Sequence, residues 1–373
     1  MQFRDLAAQY AALKAEIDSN IQHALDHHAF INGPEVKRLE TELAEYVGVK
    51  HCVACASGTD ALILPLMAWG IGCGDAVFAP DFTYFASINC AMLRGATPVL
   101  VDIDPHTFNL CPAALERAIK RTGRLRPRVV IPVDLFGLPA QHDEIDLIAR
   151  KYGLKVLEDG AQGFGGSLRG RMACSFGDAA ATSFFPAKPL GCYGDGGAIF
   201  TDDDALAQKL CSMRMQGSSP ADKYDNISVG LNSRLDTLQA AILLPKLHAL
   251  MEHELDDGDR IASRYTDLLG DCVTVPAVPE GYRSSWAQYT ILLKDQAQRD
   301  GLQSHLKEVG IPSMVYYPRG MHQQTAVRDL GGDAGGFPVT EDIVRRCLSL
   351  PMGPYLREED QDCVVRAIKN YVR

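Results

Sequence analysis

The succession of apolar and polar positions along this chain predicts alternating strands and helices. Residues 3–29 read as a helical arm, which Gly33-Pro34 breaks. Glu35 to Val47 then sets Val36, Leu39, Leu43 and Tyr46 on one helical face. Strands are predicted at His51–Ala56, Ala76–Pro80, Thr97–Ile103, Arg128–Val133 and Lys155–Glu158. Helices are predicted between them at Ala61–Gly70, Thr83–Arg94, Pro112–Thr122 and Ala140–Tyr152. Two further apolar runs, Ala179–Phe185 and Gly197–Thr201, flank a loop dense in Gly and Pro. Such alternation predicts an α/β fold with a mostly parallel sheet covered on both faces. Ligands of such sheets bind beyond the carboxyl ends of the strands.

After Thr201 the pattern changes. A helix is predicted at Asp203–Met213, opened by the polar run Asp202-Asp203-Asp204, and a polar loop at Gln216–Val229. A long helix follows over Thr237–Leu268. A strand at Ala287–Leu293 and helices at 296–309 and 340–347 then suggest a smaller α+β lobe. The expected division is a large domain at 1–250 and a small one at 251–373. Gly331–Gly336 is rich in Gly and is expected to be mobile.

Composition narrows the functional classes. A chain of 373 residues, 46% hydrophobic and 23% charged, is an ordinary globule with room for two lobes. A net charge of -10 argues against a general nucleic-acid or anionic-membrane binder, yet leaves a local anion pocket open. No apolar run reaches membrane-spanning length, and the first residues lack the apolar core of a signal peptide. A cytoplasmic location is therefore expected. The eleven Cys are scattered. Cys52 and Cys55 form a CxxC on a predicted strand, where they point to opposite faces, so they read as structural thiols. His27, His28, His142 and His322 show no metal-ligand spacing among themselves, and no metal is expected.

Four fragments carry chemistry. Lys188 sits in the Gly- and Pro-rich loop, stiffened by Pro186 and Pro189. A lysine held this way is either a solvated surface group or a Schiff-base nucleophile, and burial would keep its amine neutral. Ser57-Gly58-Thr59-Asp60 turns strand into helix, which either aims free N–H groups at a phosphate or is simply capped by Asp60. Asp159 and Gln162 follow an apolar strand. There Asp159 would pair with a protonated pyridine nitrogen or with a structural cation, and Gln162 would bond a phenolic oxygen. Tyr84, within Pro80–Phe85, is an aromatic for stacking or for packing. Together these supply the four groups that pyridoxal phosphate needs.

At this point the chain resembles the DegT/StrS nucleotide-sugar aminotransferases, within the aspartate-aminotransferase-like fold. The resemblance covers essentially the whole length. It rests on SGTDAL at 57–62, PDFTYFAS at 80–87, VDIDP at 101–105, EDGAQ at 158–162, SFFPAKPLGCYGDGGAIFT at 183–201 and NSRLDTLQAAIL at 232–243. It implies that Lys188 carries the cofactor as a Schiff base and shuttles a proton, and that Asp159 keeps the ring nitrogen protonated. It implies that Gln162 contacts the ring oxygen, that Gly58, Thr59 and Ser183 bind the phosphate, and that Tyr84 covers the ring. Asn232 is expected to reach the phosphate of a neighbouring subunit in a homodimer with shared sites. Arg234 would lie close by, and Tyr316 and Tyr317 would line the sugar-nucleotide groove. Some relatives carry His in place of the lysine and act as dehydratases, so Lys188 favours transamination, and the resemblance implies glutamate as the amino donor. The long motifs, with SLPMGPYL at 349–356, look most like enzymes that aminate UDP-linked 3-keto-N-acetylhexosamine uronates for bacterial surface polysaccharides. A 4-keto-6-deoxy sugar is the alternative. Arg234 would pair with a uronate carboxylate or with a phosphate. No G-x-G-x-x-G opens the first strand–helix unit, which disfavours a dinucleotide oxidoreductase. The intact lysine, aspartate and serine disfavour a non-catalytic regulator.

Overall fold

The computed structural model describes residues 1–330 and 336–372. Helices α1 (Leu6–His27) and α2 (Pro34–Val47) precede strand β1 (His51–Cys55). There follow α3 (Gly58–Ala68), β2 (Asp75–Pro80), α4 (Ala86–Leu93), β3 (Thr97–Val101), α5 (Pro112–Lys120), β4 (Arg126–Val130), α6 (His142–Tyr152) and β5 (Lys155–Asp159). A short hairpin, β6 (Ser167–Leu168) with β7 (Arg171–Met172), leads to β8 (Ala179–Ser183), β9 (Gly197–Thr201) and α7 (Asp204–Met213). The sheet has seven strands in the order β1-β9-β8-β5-β4-β2-β3. β9 pairs antiparallel with both neighbours, and the remaining pairs are parallel. The expected mostly parallel sheet is present.

Apolar side chains fill both faces of this sheet. Cys55, Val77, Ala79, Val129 and Leu157 pack on one side with α3. Cys52, Ala54, Ala180 and Phe200 pack on the other with α2. The two cysteines of the CxxC thus serve opposite faces, and neither is bonded to another cysteine. Asp203 caps α7, accepting from the N–H groups of Ala205 and Leu206.

Helix α8 (Thr237–Ala249), one π-helical turn at Leu250–Glu254 and α9 (Leu255–Leu269) run on from one another as the predicted long helix. Leu247, Leu250 and Leu255 belong to the large core, whereas Ile261, Tyr265 and Leu269 belong to that of the C-terminal lobe. That lobe contains β10 (Tyr282–Arg283), β11 (Tyr289–Leu292), α10 (Gln296–Glu308), α11 (Pro338–Arg346), β12 (Cys347–Leu350) and α12 (Glu358–Val372). β11 pairs antiparallel with β12, while β10 crosses back to pair with β6. Among the described residues no helix is long and apolar enough to cross a membrane.

Some predicted bounds need correction. α4 begins at Ala86 rather than Thr83, because Asp81–Tyr84 stays a turn into which the Thr83 hydroxyl packs, 3.0 Å from that of Ser87. β4 ends at Val130 rather than Val133, where Pro132 offers no N–H to extend the ladder. The Gly-rich segment expected to be mobile lies, except for Gly336, outside the described residues.

Candidate active site

The carboxyl ends of the strands surround a cavity of about 370 Å³, toward which most of the predicted site residues converge. Its floor at one end is the start of α3. That helix begins at Gly58, not at Ala61, and its cap is Ser57 rather than Asp60: the Ser57 Oγ accepts the Asp60 N–H at 3.1 Å. The first-turn N–H groups of Gly58 and Thr59 have no partner within the helix and lie where the helix dipole favours an anion. Asp60 instead accepts from the Ser233 hydroxyl at 2.7 Å. A Cβ at position 58 would sit 2.6 Å from the Ser183 Cβ, so only glycine lets the helix start come up against the end of β8. Ser183 lines the same end of the cavity.

Asp159 ends β5 and is 5% exposed. Its Oδ2 accepts the Ser87 hydroxyl at 2.7 Å, and its Oδ1 accepts the Ala161 N–H at 3.2 Å. Burial pushes its carboxyl above the usual range, against the opposing pull of the Ser87 hydrogen bond and the Lys188 charge. Lys188 enters the cavity on the loop between β8 and β9, with its N–H bonded to the Phe185 carbonyl at 2.8 Å. No side-chain hydrogen bond or ion pair engages its amine among the described residues. Burial holds that amine below the ordinary lysine range, partly offset by Asp159.

Gln162 anchors the far wall. Its Oε1 accepts the Phe136 N–H at 2.6 Å, and its Nε2 donates to the Tyr317 hydroxyl at 3.1 Å. Burial raises the Tyr317 phenol, with Gln162 opposing. Tyr84 is 60% exposed at the cavity mouth, its ring 6.4 Å from that of Tyr317. Tyr316 completes the rim and meets Phe3 edge-on at 6.1 Å.

Asn232 and Arg234 do not line this cavity. Asn232 is exposed in an isolated bridge to Met215, and Arg234 is half-buried. Ser87 and Gln288 are wall residues that the motifs did not single out, and the Gln288 Oε1 is buried without a partner. Ser87 closes the quoted run PDFTYFAS, one helical turn after Thr83, a spacing that could have flagged it. His142, set aside on sequence grounds, lies with Asp134 and Glu158 in one buried cluster. His322 pairs its Nδ1 with Asp81 at 2.6 Å.

A free amine, a buried carboxylate, an anion-favouring helix start and a buried amide oxygen without a partner share one cavity. These residues fit pyridoxal phosphate, and with the sheet topology they define a pyridoxal-phosphate-dependent transferase of the aspartate-aminotransferase-like fold. The chain belongs to the DegT/DnrJ/EryC1/StrS aminotransferase family, which its residues 11–369 match. It is 45% identical over 371 residues to the UDP-2-acetamido-2-deoxy-3-oxo-D-glucuronate aminotransferase of Pseudomonas aeruginosa, covering 99% of this chain and 100% of that one. A crystal structure of a family member from Brucella abortus superposes with a TM-score of 0.97 at 48% identity, covering 100% of this chain and 99% of the other. NtdA from Bacillus subtilis, with bound cofactor PMP, superposes at 0.86 with 30% identity over 96% of this chain and 81% of its own.

Proposed function

We propose that this chain transfers an amino group from glutamate to the 3-keto carbon of UDP-2-acetamido-2-deoxy-3-keto-glucuronate. The observation that carries the transaminase reading is the Lys188 amine, without a side-chain hydrogen bond among the described residues and set in one cavity with the buried Asp159 carboxylate. Pyridoxal phosphate, when bound, supplies an electron sink for carbanion chemistry. Around it, Gly58, Thr59 and Ser183 would hold the phosphate and Asp159 would hold a proton at the ring nitrogen. Gln162 would contact the ring oxygen and Tyr84 would cover the ring. The Lys188 Nζ would hold the cofactor and move a proton at the donor carbon. Tyr316 and Tyr317 border the sugar groove.

The substrate assignment is supported by the Pseudomonas relative and by a half-buried cation, Arg234, suited to a carboxylate. The site is shared in a homodimer. On the loop that leads to the exposed Asn232, Tyr224, Ile227 and Val229 are 82%, 61% and 80% exposed, apolar side chains that suit a second copy. In that copy's site Asn232 contacts the phosphate. The enzyme works in the cytoplasm, ahead of surface-polysaccharide assembly. The test is incubation of the pure enzyme with each keto-sugar nucleotide and glutamate, under conditions that resolve a ping-pong pattern. Turnover of only a 4-keto-6-deoxy sugar would overturn the substrate.

A further inference from the structure

Behind the cavity, on the other face of β5, lies a buried group that the proposed reaction does not use. Asp134, His142 and Glu158 come from the β4–α6 loop, α6 and β5, and each is 0% exposed. Their candidate ligand atoms lie within 4.8 Å of one another. The His142 Nε2 is 2.8 Å from the Asp134 Oδ1, which also accepts the Ala140 N–H at 2.9 Å. The two Glu158 oxygens accept the N–H groups of Cys174 at 2.6 Å and Phe176 at 2.8 Å. The His142 ring stacks on Phe176 at 4.2 Å, and the Arg171 guanidinium lies 4.4 Å from the same ring.

Two atoms in this group have no partner, the Asp134 Oδ2 and the His142 Nδ1. The bare Nδ1 places the imidazole proton on Nε2, where it is donated to Asp134. The Glu158 carboxyl is the neighbour of the Asp134 carboxyl within this group. Two buried carboxylates in that relation repel unless one carries a proton. Burial, and after it the Asp134 charge, push the Glu158 carboxyl well up, so a proton shared by the pair would sit on Glu158. The Asp134 Oδ1 thus accepts from both the Ala140 N–H and the His142 Nε2–H.

The connection to the cavity is through the main chain. The Asp134 N–H donates to the Asp159 carbonyl at 3.0 Å, and the Phe136 N–H, two residues on, donates to the Gln162 side chain. A Cβ at Gly163 would fall 2.4 Å from the Asp134 Cβ, so the Asp134 side chain also packs directly on the segment that follows Gln162.

We infer that Asp134, held by His142 and the Ala140 N–H and paired with Glu158, is a positioning residue that sets the geometry of Asp159 and Gln162 and places its carboxylate behind them. The inference rests on Asp159 serving the cofactor ring. Other charged or titratable groups near the cluster are Asp146 on α6, Asp159 on β5, Cys174 after β7, Arg171 on β7 and Tyr282 on β10.

Three measurements test it. Infrared difference spectra of the cofactor-free protein at neutral pH should show a protonated carboxylic-acid carbonyl that Glu158→Gln removes. Absence of that band, or a stoichiometric divalent metal in the purified protein, overturns the proton-sharing arrangement. In the cofactor-loaded enzyme, Asp134→Asn should lower kcat about tenfold and leave KM for the sugar nucleotide within about twofold. It should also move the pH midpoint of the visible absorbance downward, because a negative charge near the cationic ring is lost. Wild-type values of both kcat and midpoint overturn the positioning role. Should Asp134→Asn fail to fold, His142→Leu removes one donor and should lower kcat, while His142→Gln restores an N–H and should recover it. Equal, wild-type behaviour of that pair overturns the role. Asp159→Asn separates the two readings: if it keeps full turnover, the assignment of Asp159 fails, while the infrared result still reports on the cluster.

Discussion

Glu158 and Asp159 are consecutive, both buried, and end the same strand, yet they do different things. Side chains alternate along a strand, so one carboxyl faces the cavity and the other faces α6. Each Glu158 oxygen is taken by a backbone N–H, and the group is turned toward Asp134. Asp159 accepts one hydroxyl and one N–H, which leaves lone pairs directed at the cavity. Burial raises both carboxyls. What separates the carboxyl proposed to act from its neighbour here is unspent acceptor capacity facing open space, not burial or a shifted pKa.

The comparison can be broken by substitution. The largest effect belongs to the amine opposite Asp159. Lys188→Ala should abolish the visible absorbance that borohydride alters and reduce kcat by about 10⁴ or more. Full turnover by that variant would remove the lysine from the chemistry. Asp159→Asn should lower kcat by about 10²-fold or more, the usual cost of losing a preorganised charge in a closed site. Its cofactor-free melting temperature should stay level or rise, since a costly buried carboxyl is replaced by a neutral amide. Glu158→Gln should do the reverse. The amide nitrogen cannot accept, so one of the two N–H groups of Cys174 and Phe176 loses its partner. That costs about 1–3 kcal/mol of stability, read as a lower melting temperature, while kcat stays within about tenfold. If Glu158→Gln damaged turnover more than Asp159→Asn, the division between the two faces would be wrong.

The parts of this arrangement that sequence reveals are those built from contiguous residues. The Lys188 loop, the SGTD helix start and the EDGAQ run each hold their chemistry within a few positions, and all three face the cavity. What sequence hides is assembled across distance. Ser87 reaches Asp159 from 72 residues away, and Tyr317 reaches Gln162 from 155 away. The Asp134–His142–Glu158 cluster draws on three elements, so comparing histidines only with one another missed it. β10 pairs with β6 across more than a hundred residues, and strands of two residues carry no periodicity to read. α12 went unassigned although its apolar face packs into the C-terminal core. Asn232 and Arg234 are a different case: their expected partner is a second chain, and they stand outside this chain's own cavity.

The smallest effect probes how Asp159 is tuned rather than whether it acts. The Ser87 hydroxyl donates to the Asp159 carboxylate and so favours its charged form, while burial works against it. Ser87→Ala removes the favourable contribution and leaves the burial. The folded-state pKa of Asp159, already above its ordinary value, should therefore rise further. In the proposed reaction the ionised form is the one that would hold a proton at the ring nitrogen, so the acidic limb of the kcat profile should move to higher pH. A hydrogen bond to a charged group is worth about 1.5–3 kcal/mol, and one pKa unit corresponds to about 1.4 kcal/mol, so a displacement of about one unit is expected. Above that limb kcat should fall less than tenfold, because the Ala161 N–H and the Asp134–Asp159 main-chain bond still hold the carboxylate in place. A limb that stayed put, or moved toward acid, would show that Ser87 orients the side chain without setting its charge. The cavity face of β5 would then owe its reactivity to shape alone.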